Sequence, residues 1–247
     1  AQRAENAKPE NYEHLRAKVR ELIGARKLAD LPAPTVQTMD NGYIIKPESG
    51  IQLPAKLVGD ANSKGFTIFL HGAGKRDAID SGEVNRLARQ SATQVLTVDL
   101  RGLGETKKAG RIRSFDEMFG PDWKDTAAAS LLGNTYVGMR AEDIWQIVRV
   151  WRQETGNQNL KPHLIATGEA AIPALHAAAL EPDLFGEVEP AWTILPPGAL
   201  PARSIDRHGH ARHRMPGVRF CADAGWLRET TRNCSSSAGR FWRLLRP

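Results

Sequence analysis

The chain has 247 residues, 41% hydrophobic and 25% charged, enough to bury one substantial core. No run of about 18 apolar residues occurs, which leaves no candidate for a membrane-spanning helix, and no membrane partner is expected. The net charge of +6 is unevenly placed. Residues 1–189 hold 24 Lys and Arg against 25 Asp and Glu, whereas residues 190–247 hold 10 Arg against Asp206, Asp223 and Glu229. The body therefore has no basic face to steer nucleic acid, and no nucleic-acid partner is expected.

Both cysteines, Cys221 and Cys234, lie in the C-terminal stretch, so the body depends on neither disulfide nor thiolate zinc. Nothing along the chain calls for a cofactor or a metal ion. The sequence begins Ala1-Gln2-Arg3 without Met, as a processed product or a piece of a longer protein does.

Residues 1–34 read as a polar leader, one helix and a linker. Asn11 is placed to cap a helix from Tyr12 to Ala25, with Tyr12, Leu15, Val19, Leu22 and Ile23 at helical spacing, and Leu31-Pro32-Ala33-Pro34 breaks it. The runs Gly42–Lys46 and Ile51–Val58, joined by Pro47-Glu48-Ser49-Gly50, predict a hairpin. Phe66-Thr67-Ile68-Phe69-Leu70 is an unbroken strand-length run, expected to be covered on both faces. It leads into His71-Gly72-Ala73-Gly74. A helix over Glu83–Arg89 and a second buried strand over Val95–Leu100 follow, and strand, helix, strand implies a right-handed crossover and a parallel sheet.

Residues 107–137 read as a long excursion at the carboxyl edge of that sheet, where ligands bind in such folds. Met139–Glu154 predicts an amphipathic helix with Met139, Ile144, Val148 and Trp151 on one stripe, widened by Trp145 and Ile147. His163–Ala166 is the next strand, Ala170–Leu180 the next helix, and Phe185–Glu189 the start of another strand. From Pro190 onward neither a helical nor a strand period persists, and lysine is absent after Lys161. Residues 190–247 are expected to be an anomalous, poorly ordered Arg-rich tail, either frame-shifted or degenerate. The fold class is α/β, a mostly parallel sheet flanked by helices, with a core over residues 35–189 whose C-terminal strands are missing or degenerate.

The chemistry hinges on Leu164-Ile165-Ala166-Thr167-Gly168-Glu169-Ala170-Ala171, a buried strand, a tight turn of small residues and an Ala-rich helix. Hydrolases with a nucleophile elbow use Gly-x-Ser-x-Gly at such a turn. Ala166 and Ala170 stand at the flanking glycines, and Gly168 stands at the serine. Glu169 is one residue late for a nucleophile and suits the first turn of a helix by its charge; Thr167 is one residue early. An oxyanion needs amides from the residue after the nucleophile and from the loop after an earlier strand. His71, Gly72, Ala73 and Gly74 supply that loop, with a plain glycine-rich turn as the alternative. Asp99-x-Arg101-Gly102-x-Gly104 reads as a structural turn at the sheet's edge. His208, His210 and His213 form a cluster beside Asp206 without a scaffold, His176 lies among helix alanines, and His14 is a surface residue.

Four segments together resemble acetyl xylan esterase-like α/β-hydrolases: Phe69–Lys75, Val98–Thr106, Leu131–Gly133 with Val137–Asp143, and Gly168–Leu180. They look most like the second hydrolase-like domain of large secreted bacterial proteins of that group, over roughly residues 12–189. The resemblance implies a carboxylic-ester hydrolase acting on acetylated plant polysaccharide, secreted or periplasmic, with a Ser-Asp-His triad. Here the serine position holds Gly168, and the Asp and His find no matching positions. The resemblance therefore leaves two functions: an ester hydrolase, or a non-catalytic module that binds acetylated polysaccharide or a neighbouring hydrolase domain.

Overall fold

A computed structural model describes residues 12–61, 63, 65–90, 92–107 and 122–191, with two short paired segments further on. The chain divides into a compact unit over Glu10–Trp192 and a second made of Ala1–Pro9 and Thr193–Pro247. In the second unit, Ser204–Ile205 pairs antiparallel with Ala211–Arg212. The expected disorder of the tail otherwise lies outside the described residues.

The first unit is built on a seven-stranded sheet. Its strands are β1 (Thr35–Met39), β2 (Gly42–Lys46), β3 (Leu53–Val58), β4 (Gly65–His71), β5 (Thr93–Val98), β6 (His163–Thr167) and β7 (Val188–Ala191), in the order β1-β2-β3-β5-β4-β6-β7. The hairpin expected between β2 and β3 is present, Tyr43 opposite Ala55 and Ile45 opposite Leu53. β3 meets β5 antiparallel, and β5, β4, β6 and β7 run parallel. Phe66–Leu70 of β4 is buried residue after residue, as its unbroken apolar run requires.

Crossovers fill both faces. Helices α1 (Tyr12–Ile23), α2 (Lys75–Asp80), α3 (Glu83–Gln90), α4 (Trp123–Leu131), α5 (Tyr136–Thr155) and α6 (Ala171–Leu180) come in chain order. On one face Phe69, Val95 and Ile165 pack with Ala78 of α2 and Val84 of α3. α5 is the central helix: Ile144, Trp145, Ile147 and Val148 are inaccessible to solvent, and the Trp145 indole N–H donates to Ala177 O of α6 at 3.0 Å. The stripe predicted for α5 is there, but its polar face is buried too, because Arg140, Glu142, Asp143 and Gln146 each find partners inside the molecule.

Several elements differ from the expectation. β1 was not signalled, since Thr35–Met39 is almost wholly exposed and has no buried face to generate alternation. α2 and α4 are short helices in stretches read as turn and irregular loop. β7 begins at Val188, after a turn through Pro182–Leu184. The apolar stripe of α1 does not face the core: Leu15 is 37% and Leu22 68% exposed. α1 docks through its arginines instead. Arg16 Nε donates to Ala179 O at 3.1 Å, and Arg20 pairs with Glu181 at 2.8 Å with its guanidinium over the Trp145 ring. Such stems bury their methylenes while the charged heads find acceptors.

Candidate functional site

Three turns meet at the carboxyl edge of the parallel strands: the loop after β4, the turn after β5 and the turn after β6. The last joins β6 to α6 through a short 3-10 turn over Gly168–Ala170. Gly168 has φ +58°, the left-handed conformation that a strained strand-to-helix elbow demands. Among the described residues, a Cβ built on Gly168 would meet only Gly72, at 3.7 Å from Cα and 3.9 Å from N, which is ordinary contact. The position therefore has room for a side chain and presents hydrogen instead. Ala166 and Ala170, at the flanking positions, are buried and hold the turn against the core.

The loop after β4 lies against this elbow. His71 is level with Thr167 in the β4–β6 register. A Cβ on Gly72 would approach the Glu169 amide nitrogen to 2.5 Å, so only glycine lets the two turns touch. The amide that follows the nucleophile position and the loop expected to supply the second donor are thus neighbours. Within the loop, the Ala73 amide donates to His71 Nδ1 at 3.2 Å, and Gly74 N donates to His71 O at 3.0 Å. Since Nδ1 accepts, the neutral imidazole carries its proton on Nε2. The His71 ring is used to shape the loop.

Glu169 points its carboxylate at Arg140, whose Nη1 donates to Oε1 at 3.0 Å; the acid is 60% exposed and the arginine 6%. Arg140 Nε donates to Arg101 O at 2.8 Å, and its guanidinium lies 4.9 Å over the Tyr136 ring. Arg140 therefore ties the β6 elbow to the β5 turn. Sequence reasoning gave it no role, because an arginine on an otherwise apolar helix stripe carries no motif.

The β5 turn is structural, as its residues imply. Asp99 is buried, and accepts from Lys75 N at 2.5 Å, from Glu105 N at 3.0 Å and from Lys75 Nζ at 3.2 Å. Arg101 makes a two-pronged pair with Asp143, at 2.8 and 2.5 Å, and reaches Glu48 at 3.1 Å; Arg26 joins Glu48 to Glu142. Burial works against the Arg101 charge, but hydrogen bonds and charge from Asp143 and Glu48 raise its pKa overall. Burial likewise pushes Asp143 up against the pull of Arg101. For Glu48, burial is outweighed by Arg26 and Arg101, which hold its carboxyl below the usual glutamate value.

Of the other sequence candidates, His176 Nδ1 donates to Ile172 O, 2.9 Å away on its own helix, and His14 is exposed on α1. Thr167 Oγ1 is buried and has no hydrogen-bond partner among the described residues. His208, His210 and His213, with Asp206 and Asp223, lie outside the described residues, as do residues 108–121 of the excursion.

The fold of the first unit has a counterpart among solved structures. A putative acetyl xylan esterase from Bacteroides fragilis matches over 71% of this chain and 51% of its own, with 13% identity and a TM-score of 0.51. The chain has an α/β-hydrolase fold. It is also similar to acetyl xylan esterase 1 from Thermoanaerobacterium sp. (15% identity, 73% and 57% covered, TM-score 0.46) and to dienelactone hydrolase from Anabaena variabilis (19%, 64% and 62%, 0.38). The chain spans about half the length of the first of these hydrolases. No protein-family model and no curated sequence matches it. Within this fold β6 and α6 flank the turn at Gly168, and the loop after β4 lies against it.

Proposed function

We propose that this chain is a hydrolase-fold module, related to carboxylic-ester hydrolases, that does not turn over esters and instead holds a ligand or partner at the carboxyl edge of its sheet. The observation that carries the reading is Gly168 at φ +58°, where a Cβ would find no more than ordinary contact among the described residues and glycine offers only hydrogen. Acyl transfer at an elbow needs an oxygen or sulfur there to attack the carbonyl. A serine hydrolase stripped of a triad member keeps only about 10³–10⁴-fold catalysis over water, from binding and the oxyanion donors. In this reading the paired turns of His71–Gly74 and Gly168–Glu169 keep binding and the oxyanion donors without an attacking atom.

Glu169 does not replace the missing group in this reading, because its carboxylate is spent on Arg140 and its backbone sits one residue past the crest. The ligand class follows from the resemblance: acetylated plant polysaccharide, or a neighbouring hydrolase domain that acts on it, outside the cytoplasm. The test is hydrolysis of p-nitrophenyl acetate and acetylated xylan by the purified chain beside Glu169→Gln, with binding to xylan fragments measured by calorimetry. Binding without turnover is the expected result. Turnover abolished by Glu169→Gln would make Glu169 the nucleophile and end the proposal.

A further inference from the structure

At the opposite end of β6 from the elbow, three side chains converge. His163 opens β6, and Glu187 and Glu189 flank Val188 in β7. The register explains why. Leu164 is level with Val188 and Ile165 with Glu189, and Leu164 N donates to Glu187 O at 2.8 Å. Side chains alternate along a strand, so His163 and Ile165 share a face with Glu187 and Glu189. One imidazole nitrogen and one oxygen from each carboxylate lie within 4.8 Å of one another, and His163 Nε2 stands 3.5 Å from Glu189 Oε1.

Two features set this group apart from a surface ion pair. Glu187 and Glu189 stand two residues apart on one face, so both carboxylates can turn to a single cation beside His163. And His163 Nε2 is sealed from solvent yet has no hydrogen-bond partner among the described residues, an unmet need for a ring nitrogen beside two acids. The geometry points to a zinc-class divalent cation site made by His163, Glu187 and Glu189. Zinc takes imidazole nitrogen at about 2.0–2.1 Å and carboxylate oxygen at about 2.0–2.2 Å in a tetrahedron, which puts neighbouring ligands roughly 3.4 Å apart. The His163–Glu189 separation already matches that spacing, and the partly exposed carboxylates leave the fourth position to water.

The role is structural. Four residue steps along β6 place His163 about 13 Å from Thr167, where the elbow begins. A cation there cross-links β6 to β7, and β7 enters the sheet through only four residues. The site is independent of the proposed function, since it touches neither turn that forms the elbow.

The full chain, stripped with a chelator and dialysed, is titrated with ZnCl₂ by calorimetry, with MgCl₂ as the control. The tail offers His208, His210 and His213 as competitors, so the titration is repeated on Glu187→Gln/Glu189→Gln and on His208→Ala/His210→Ala/His213→Ala. Zinc but not magnesium is expected to bind and raise Tm. The tail variant should keep the site, and the carboxylate variant should lose at least ~100-fold in affinity, beyond what even outer ligand partners contribute. Should the carboxylate variant not fold, zinc-edge X-ray absorption of the tail variant decides: one imidazole with oxygen neighbours is expected. Absent saturable binding, binding that survives loss of both carboxylates, or a shell of several imidazoles or sulfur would overturn the assignment.

Discussion

Two turns at the same edge of the sheet are built in opposite ways. The turn after β5 is saturated: Asp99 accepts from three donors, Arg101 is clamped by Asp143 and Glu48, and a Cβ on Gly104 would run into the Asp99 carboxylate. The elbow after β6 is sparse. Gly168 has φ +58° and no close neighbour above it among the described residues, and the adjacent Glu169 reaches the buried Arg140 from a largely exposed position. A turn that holds the fold together spends all its polar groups internally. The contrast ties the β5 turn to stability and leaves the crest of the elbow uncovered among the described residues.

Breaking the saturated turn should be the most damaging change. Asp143→Ala removes both prongs of the buried pair and leaves Arg101 with Glu48 alone. A loss of about 3 kcal/mol is expected in urea unfolding, the scale of a broken buried ion pair. A loss under about 1 kcal/mol would erase the distinction between the turns. Gly72→Ala comes next, because its methyl must displace the Glu169 amide; we expect about 1–3 kcal/mol from that overlap.

Gly168→Ser tests the open crest directly. Space is available, so the cost should be only the left-handed conformation of a non-glycine residue, about 1–2 kcal/mol. The refolded variant should show no acyl-enzyme burst with p-nitrophenyl acetate, since a serine without a base is a poor nucleophile. A burst would reveal a working base near the elbow. Glu169→Gln should matter least to stability, about 1 kcal/mol by thermal melting, since the amide oxygen still accepts from Arg140, which keeps its bond to Arg101 O.

The pH dependence sharpens the same contrast. Arg26 and Arg101 hold the Glu48 carboxyl below its ordinary value, so its contribution is fully present above the ordinary glutamate range and is lost as pH falls through the lowered value. The stability gap between the parent and Glu48→Gln should therefore narrow on acidification. A gap that stays constant to low pH would mean that the network does not depend on the Glu48 charge.

Much of the fold was legible along the chain. The unbroken run Phe66–Leu70, the period of Met139–Glu154 and the small-residue turn at Gly168 each declare themselves, because burial on both faces, one-sided burial and a tight bend leave different local signatures. β1 and α4 were not legible: Thr35–Met39 and Trp123–Leu131 bury almost nothing, so no periodicity marks them. The α1 stripe misled for the converse reason, since Arg16 and Arg20 rather than Leu15 and Leu22 reach the core. His163, Glu187 and Glu189 have no ligand-like spacing in sequence, and only the parallel register sets them on one face.

Residue identity alone determined that the strand-to-helix bend at Gly168 bears hydrogen, for no packing adds an atom to glycine. The chain order likewise required a parallel sheet, through strands too apolar to face water. What the tertiary structure decided is which polar groups meet: Arg140 with Glu169, Arg101 with Asp143, and an imidazole with two acids across β6 and β7. Those pairings join residues 24 to 42 positions apart. Their geometry comes from strand register and helix docking, which no local pattern of side chains encodes.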